Sequence, residues 1–289
     1  MVLPGKRGEL LLIGTPIGNL DDLSPRALAA LRAASAIFCE DTRVTGKLAS
    51  RFGLKAPRIS CPAPRERARV AELLGRLGAG ETVALVSDAG MPSLSDPGEH
   101  LVRAAAEAGY PVRVVPGPSA PEAALAVSGL PAVPHLFLGF LPSRSGDRRR
   151  FLESVREQAV TLVWFESPHR LADSLEDAAL VLGNRRACVA RELTKLHEEA
   201  ARAPLAELAA EFRSRGPSRG EATVVVEGAR AETIPTPAED VDRLIASGLE
   251  AGRDKRSLAR EIARRSGQSS RAIYARAVVL ARGPHRKRP

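Results

Sequence analysis

Residues 83–98, VALVSDAGMPSLSDPG, decide the fold. Val83-Ala84-Leu85-Val86 reads as a strand buried on both faces, as in a parallel sheet, and it runs directly into an acidic loop rich in glycine and proline. In open α/β sheets the crevice for a ligand lies outside the carboxyl ends of the strands. Ser87 and Asp88 therefore stand at the mouth of the strand, followed by Ala89, and Gly90 lets backbone approach a bound molecule closely. Met91-Pro92 and Asp96-Pro97-Gly98 are turn signals that keep the loop compact. An ordinary βα turn has the same local look, so the other strand ends decide.

Two of them match. Residues 10–13 run into Gly14-Thr15-Pro16-Ile17-Gly18-Asn19-Leu20, and residues 112–115 run into Pro116-Gly117-Pro118-Ser119. Three short loops with few bulky side chains predict a crevice for a flat, polar small molecule. Gly14 and Gly18 are four apart, so the dinucleotide fingerprint G-x-G-x-x-G is missing, and no G-x-x-x-x-G-K-[ST] cradle occurs. Pyrophosphate and triphosphate binding lose support.

Outward from these loops the chain alternates strand and helix. Strands are expected at 10–13, 36–39, 58–61, 83–86, 112–115, 136–140, 161–165, 187–190 and 222–226. Ser24-Pro25 is an N-cap and first-turn pair for a helix reaching Ala33, and Gly183 and Gly216 are helix stops. Residues 116–134, holding a short Ala/Leu-rich helix, form the expected hinge between two α/β domains, 8–120 and 121–232. A proline-rich linker, Ile234-Pro-Thr-Pro-Ala, then leads to a helical domain at 238–282. There Val241, Leu244, Ile245 and Leu249, then Leu258, Ile262 and Ala263, then Ile273, Ala277 and Leu280 recur at helical spacing. Residues 257–276 have the form of a helix-turn-helix, with Gly267 in the turn and Ser269 or Ser270 capping the second helix. Residues 283–289 are expected to be disordered.

Charge sharpens this division. The chain carries +9, yet residues 251–289 hold twelve Lys/Arg and two acids, so the remainder sums to −1. A basic appendage on a neutral body is the electrostatic footprint of a nucleic-acid binder, against the plainer alternative of a solvated helix. Aromatic residues are only 3% of the chain, and Trp164, Tyr110 and Tyr274 are dispersed, which favours phosphate contacts and RNA shape over base stacking.

Other classes are excluded. No apolar run approaches the roughly 20 residues of a membrane span, and the amino terminus lacks a signal-peptide pattern, so a cytoplasmic protein is expected. Cys39, Cys61 and Cys188 are odd in number and far apart, and the five histidines show no H-x-x-x-H pair. Neither a disulfide framework nor a metal site is expected.

Charged clusters follow three strands: Glu40-Asp41-Thr42-Arg43, Glu166-Ser167-Pro168-His169-Arg170 and Arg191-Glu192-Leu193-Thr194-Lys195. Any one alone reads as capping and ion pairing. Three on one structural edge point to chemistry.

In order, GTPIGNL, CEDTR, VSDAGMPSLSDPG, PGPSA, FESPHR and RELTK resemble the tetrapyrrole methylase superfamily over about residues 8–282. Within it, the chain is most similar to the branch that methylates a cytidine 2′-hydroxyl in the decoding region of 16S rRNA. The resemblance implies a two-domain α/β body of the class III methyltransferase type, usually a homodimer, with S-adenosylmethionine in the cleft and 16S rRNA of the 30S subunit as partner. Carried over by position, Thr15, Pro16, Ser87, Asp88, Ala89, Gly90, Met91, Gly117, Pro118 and Ser119 would line the donor pocket from one side. Phe165, Glu166, Ala190, Arg191, Glu192, Leu193, Gly220 and Glu221 would close it from the other. A 2′-hydroxyl is a poor nucleophile while protonated, so a base or a nearby cation is wanted. Asp41 or Glu166 is the candidate base, and Arg43, Arg170, Arg191 or Lys195 the candidate cation.

The sequence departs from the family twice. Pro64-Arg65-Glu66 stands where a His-Asn-Glu run is typical, and Met91 replaces a threonine in the loop after the fourth strand. Two other functions fit parts of the pattern: a methylase of small tetrapyrrole-like molecules, and a non-catalytic RNA-binding or assembly protein on a methylase fold.

Overall fold

The computed structural model describes residues 8–216, 220–229, 238–266 and 268–281. The chain divides into two compact units, the boundary falling between Gly228 and Ala229.

The larger unit contains two five-stranded sheets in succession. In the first, β1 (Glu9–Ile13), β2 (Ala36–Cys39), β3 (Arg58–Ser60), β4 (Thr82–Val86) and β5 (Val112–Val115) are all parallel, in the order β3-β2-β4-β1-β5. Four helices cover it: α1 (Pro25–Ala33), α2 (Thr42–Phe52), α3 (Glu66–Gly78) and α4 (Glu99–Glu107). Leu31 of α1 and Leu48 of α2 pack with Ile13, Ile37 and Ala84 on one face, while Leu73 and Leu77 of α3 and Leu101 of α4 pack with Leu10, Phe38 and Leu85 on the other. Alternate residues of each strand thus enter different cores, which is why the strands read as continuous apolar runs. Ser24 caps α1 by accepting the Ala27 N–H at 3.1 Å.

The second sheet is mixed. β6 (His135–Phe140) pairs parallel with β7 (Thr161–Glu166), whereas β10 (Ala222–Val226) lies antiparallel between β7 and β8 (Arg186–Arg191), and β9 (Glu199–Pro204) completes the edge. β9 is absent from the strands expected from sequence; its segment, EAARAP, has no large apolar residue and ends in proline. Such a composition is tolerated because the strand is an edge. α5 (Ala120–Ser128), the short helix expected in the hinge region, covers one face through Ala124 and Leu125 against Val163, Cys188 and Val225. α6 (Ser145–Ser154), α7 (Leu171–Leu182) and α8 (Leu205–Arg215) cover the other, around Trp164. Gly183 and Gly216 end α7 and α8 with positive φ. Cys39, Cys61 and Cys188 are buried free thiols.

The smaller unit holds α9 (Ala238–Glu250), α10 (Lys255–Ser266) and α11 (Ser270–Ala281), with Val241, Ile245, Leu258, Ile262, Ile273 and Ala277 as its core. Ser269 caps α11, its Oγ accepting the Ala272 N–H at 3.1 Å, and Arg276 of α11 is paired with Asp242 of α9 at 2.9 Å. Of the expected linker at 234–238 only Ala238 is described, as the first residue of α9; its other residues, the turn residue Gly267 and the expected disordered end at 283–289 lie outside the described residues. Among the described residues no helix is long and apolar enough to cross a membrane.

One buried ion pair ties α6 to α7. Arg148 and Asp177 are each 3% exposed, and Asp177 takes further bonds from Ser145 and Arg149. Burial alone would raise the Asp177 carboxyl, but the hydrogen bonds from Arg149, Ser145 and Arg148 outweigh it and hold the carboxyl low. Removing one partner strands the other charge in the core. Asp177→Ala is expected to cost about 3–5 kcal/mol in urea unfolding; a loss within experimental error would show the pair to be dispensable.

Candidate active site

The loops leaving β1, β4 and β5 meet at the carboxyl edge of the first sheet, where the chain leaves neighbouring strands toward opposite sides. Their contact is backbone to backbone. Thr15 and Gly90 exchange N–H to carbonyl bonds of 2.8 and 3.1 Å, and the Thr15 hydroxyl is aimed at the Ser87 and Gly90 carbonyls at 3.2 and 3.3 Å. A Cβ on Gly14 would stand 2.6 Å from the Gly117 backbone and 2.7 Å from the Met91 sulfur. Glycine at these two positions is therefore a condition of the loops converging.

The second sheet supplies the opposite wall. Phe165, Ala190 and Thr223 project from β7, β8 and β10 on the side that faces α5, and Ser119, Ala120 and Pro121 open α5 at the same place. Glu192, Leu193 and Lys195 follow β8, and Glu221 precedes β10. Gly220, at φ 82°, lies so close to Glu192 that a Cβ would overlap the Glu192 carboxylate. Across the gap the Asn19 N–H donates to Thr194 Oγ1 at 3.0 Å, joining the β1 loop to the β8 loop. Glu192 and Thr194 hold positive φ values of 49° and 65° there.

These walls enclose a cleft of about 330 Å³. Ile17, Met91, Leu94, Phe140, Phe165 and Leu193 form its apolar surface, with the Phe165 ring 5.0 Å from Phe137 and 5.3 Å from Phe140. Its polar lining is acidic: Glu40, Asp88, Asp96, Glu192 and Glu221 face it, and the one cation among the described lining residues, Lys195, is paired with Glu192 at 2.8 Å. Burial first, then the charges of Glu40, Asp88 and Glu221, push the Asp96 carboxyl up to about 7 against a hydrogen bond from Ser87. Burial likewise raises Glu40 and Asp88, although Asp88 Oδ1 accepts the Asp41 N–H at 3.1 Å. A site of this size, lined by apolar groups and excess carboxylate, suits a small organic cation.

Most of the residues expected from sequence to hold a ligand are brought together here. Asp88, Ala89, Gly90, Met91, Ser119, Phe165, Ala190, Glu192, Leu193 and Glu221 line the cleft, as does Lys195. Thr15, Pro16 and Ser87 border an adjoining recess with Lys47, and Gly117 and Pro118 border another with Ser119. The remaining candidates lie elsewhere. Glu166 is one residue past Phe165, so its side chain enters the opposite face of the sheet; it is fully buried and paired with Arg170 at 2.6 Å. Arg191, one past Ala190, likewise turns away, to Glu199 at 3.2 Å and to the face of Phe212. Asp41 caps α2 and binds Arg43 at 2.6 Å, and the Arg43 hydrogen bonds hold Asp41 down to about 2. None of these five side chains lines the cleft. Glu66 serves the fold instead, buried and accepting the His100 and Leu101 N–H groups at 2.7 and 3.1 Å at the start of α4. Conversely, Leu94, Ser95, Asp96, Phe140 and Thr223 line the cleft without having been given a site role from sequence, and so does Glu40, read there only as part of the charged cluster after the second strand. Phe140 could have been found from its place at a strand's carboxyl end, and Glu40 from its place in the cluster ahead of Asp41; Asp96 sits inside a turn signal that conceals it.

Comparison with known proteins agrees with this architecture. Residues 9–209 match the family model of tetrapyrrole (corrin/porphyrin) methylases. A curated ribosomal RNA small subunit methyltransferase I of Thermotoga maritima is 45% identical over 221 residues, 76% of this chain and 99% of that one. Its namesake in Halalkalibacterium halodurans is 40% identical across 93% of this chain and 94% of its own. Among solved structures, the methyltransferase CobJ superposes with a TM-score of 0.59 at 22% identity, covering 77% of this chain and 95% of its own, a likeness of fold. The chain belongs to the tetrapyrrole methylase family, among relatives named ribosomal RNA small subunit methyltransferase I.

Proposed function

We propose that this chain transfers methyl from S-adenosylmethionine to a ribose 2′-hydroxyl of a cytidine in 16S rRNA. The carrying observation is the acidic, apolar-walled cleft between the two sheets, found in a chain at least 40% identical to curated small subunit rRNA methyltransferases. S-adenosylmethionine fits it chemically. The donor's sulfonium and ammonium charges match the surplus of carboxylates, and its adenine matches the Phe140, Phe165 and Leu193 surface. Its carboxylate would take the uncapped first amides of α5, where Ser119 donates its hydroxyl to the Glu122 carboxylate instead of capping the helix. When bound, the donor supplies an already activated methyl group. What the protein adds is position and exclusion of water: the β1, β4 and β5 loops fix the floor, and the β8 loop, tied through Thr194 to Asn19, closes the top.

In this reading the body consists of α/β domains at 8–120 and 121–232, and the basic helices at 238–282 anchor RNA by its phosphates. The family model ends at residue 209, before those helices, which supports assigning chemistry to the body and RNA affinity to the appendage. The protein would act in the cytoplasm, as a homodimer, on the 30S subunit. A small-molecule acceptor is the competing reading, since CobJ and other tetrapyrrole-type methylases share the fold.

Three results are expected. Radiolabelled donor and unmodified 30S subunits should yield label on a 2′-O-methylcytidine. A chain ending at Glu232 should bind the donor unchanged but need more RNA for half-saturation, with a shallower salt dependence. No label despite donor binding would favour the small-molecule acceptor. Second, Gly117→Ala should weaken donor binding by about tenfold or more through the clash with Gly14, and unchanged affinity in calorimetry would contradict the fit. Third, a bound cation favours ionised carboxylates, so donor binding should release protons from Glu40 and Asp88, whose carboxyls burial holds above the usual range. Affinity should then rise with pH as these carboxyls titrate, by about tenfold per unit for each proton released. Calorimetry in buffers of different ionisation heat checks this, and zero proton release would count against it.

A further inference from the structure

A 2′-hydroxyl must lose its proton as it takes the methyl group, and neither carboxylate suggested by sequence is placed to receive it. Asp41 is held by Arg43 and Glu166 by Arg170, both outside the cleft lining. An ion-paired carboxylate is stabilised in its charged form and accepts protons poorly.

Five carboxylates do line the cleft, and their surroundings separate them. Glu192 is neutralised by Lys195, Asp88 is engaged by the Asp41 amide, and Glu221 is solvent-exposed. Glu40 and Asp96 remain. Asp96 is the more perturbed of the two, and its loop is built to present it. Ser93 and Ser95 adopt left-handed φ values of 69° and 66°, the Ser93 N–H bonds back to the Pro97 carbonyl at 3.3 Å, and Gly98 takes φ 145° where a Cβ would strike the Ser93 hydroxyl. The buried Ser93 Oγ has no hydrogen-bond partner. Two left-handed non-glycine residues and an orphaned hydroxyl in six residues are strain, and strain persists where the surrounding structure enforces a conformation that serves a site. Here it folds the loop back so that Leu94, Ser95 and Asp96 all face the cleft.

We propose that Asp96 is the general base of the methyl transfer, a role that rests on the functional reading above. As the ribose oxygen forms its bond to the methyl carbon, the carbon–sulfur bond of the S-adenosylmethionine donor breaks and its electron pair stays on sulfur, giving the neutral thioether. The hydroxyl proton passes to the Asp96 carboxylate and from there to solvent. The groups facing Asp96 are Ser87 and Asp88 at the end of β4, Glu40 at the end of β2, and Glu221 before β10; Glu192 and Lys195 share the cleft. Partial burial first, and then three like charges, keep its proton affinity near neutrality, where a base both ionises and accepts a proton effectively.

Asp96→Asn tests this in three measurements. Methyl transfer to unmodified 30S subunits under single-turnover conditions should fall by about a hundredfold or more, while the donor dissociation constant moves less than about fivefold. The rate of the wild-type chain should climb with pH and then level, and the Asn variant should lack that limb. Independently of activity, the ionised Asp96 is disfavoured in the folded chain, so its contribution erodes stability as pH rises from about 4 to about 7. The variant should therefore melt about 2–4 °C higher than the wild type near pH 8 and no higher near pH 4, which also shows that it folds. Transfer by the variant within threefold of wild type, or an unchanged pH limb, overturns the assignment. So does loss of donor binding in the folded variant, which would make Asp96 a donor ligand. Absence of transfer by the wild-type chain would instead remove the functional reading, and this role with it.

Discussion

The structure depends on one close approach, the backbone contact of Gly14 with Gly117 at the ends of β1 and β5. These strands are neighbours, and with β4 on the other flank of β1 they deliver three loops to one point. Side chains there would hold the loops apart and fill the space that the ligand needs. The Thr15–Gly90 bridge locks the β4 loop onto the β1 loop, so the floor of the cleft is main chain held by main chain. Rigid, pre-formed polar backbone is what a small polar ligand requires if binding free energy is not to be consumed in ordering loops.

The acidic lining works against that rigidity. Carboxylates gathered in a partly buried cleft repel one another and lose hydration, and the left-handed serines add backbone strain in the same loop. The body can carry these unfavourable terms because each sheet is packed on both faces, with Ile37 and Phe38 or Trp164 and Val163 entering separate cores. A cationic ligand relieves part of the repulsion, which couples occupancy of the cleft to the protonation of its walls.

Much of this was legible in the sequence, for a reason that also sets its limit. Strands buried on both faces announce themselves as apolar runs, and the Gly/Pro loops at their carboxyl ends mark the crevice, so residues 87–91 and 117–119 were identifiable from pattern alone. What such runs conceal is facing. Where both sides of a strand are covered, no polar alternation reveals which residue points into the cleft, and a motif such as Phe165-Glu166 presents both to the reader equally. The fold uses Phe165 for the cleft and Glu166 for an ion pair on the far side. Ala190 and Arg191 divide in the same way. β9 was illegible because an edge strand needs less apolar surface, and EAARAP offers almost none.

Asp96 shows the complementary failure. Asp-Pro-Gly is a turn signal wherever it occurs, and the local explanation of the aspartate as a turn former is complete as far as sequence goes. Only the folded loop reveals that the turn requires left-handed serines and ends with the carboxylate on the cleft wall beside three others. A residue type explained at one level of structure is therefore still open to a role at the next. The distinguishing sign is a local arrangement more strained than the turn itself demands.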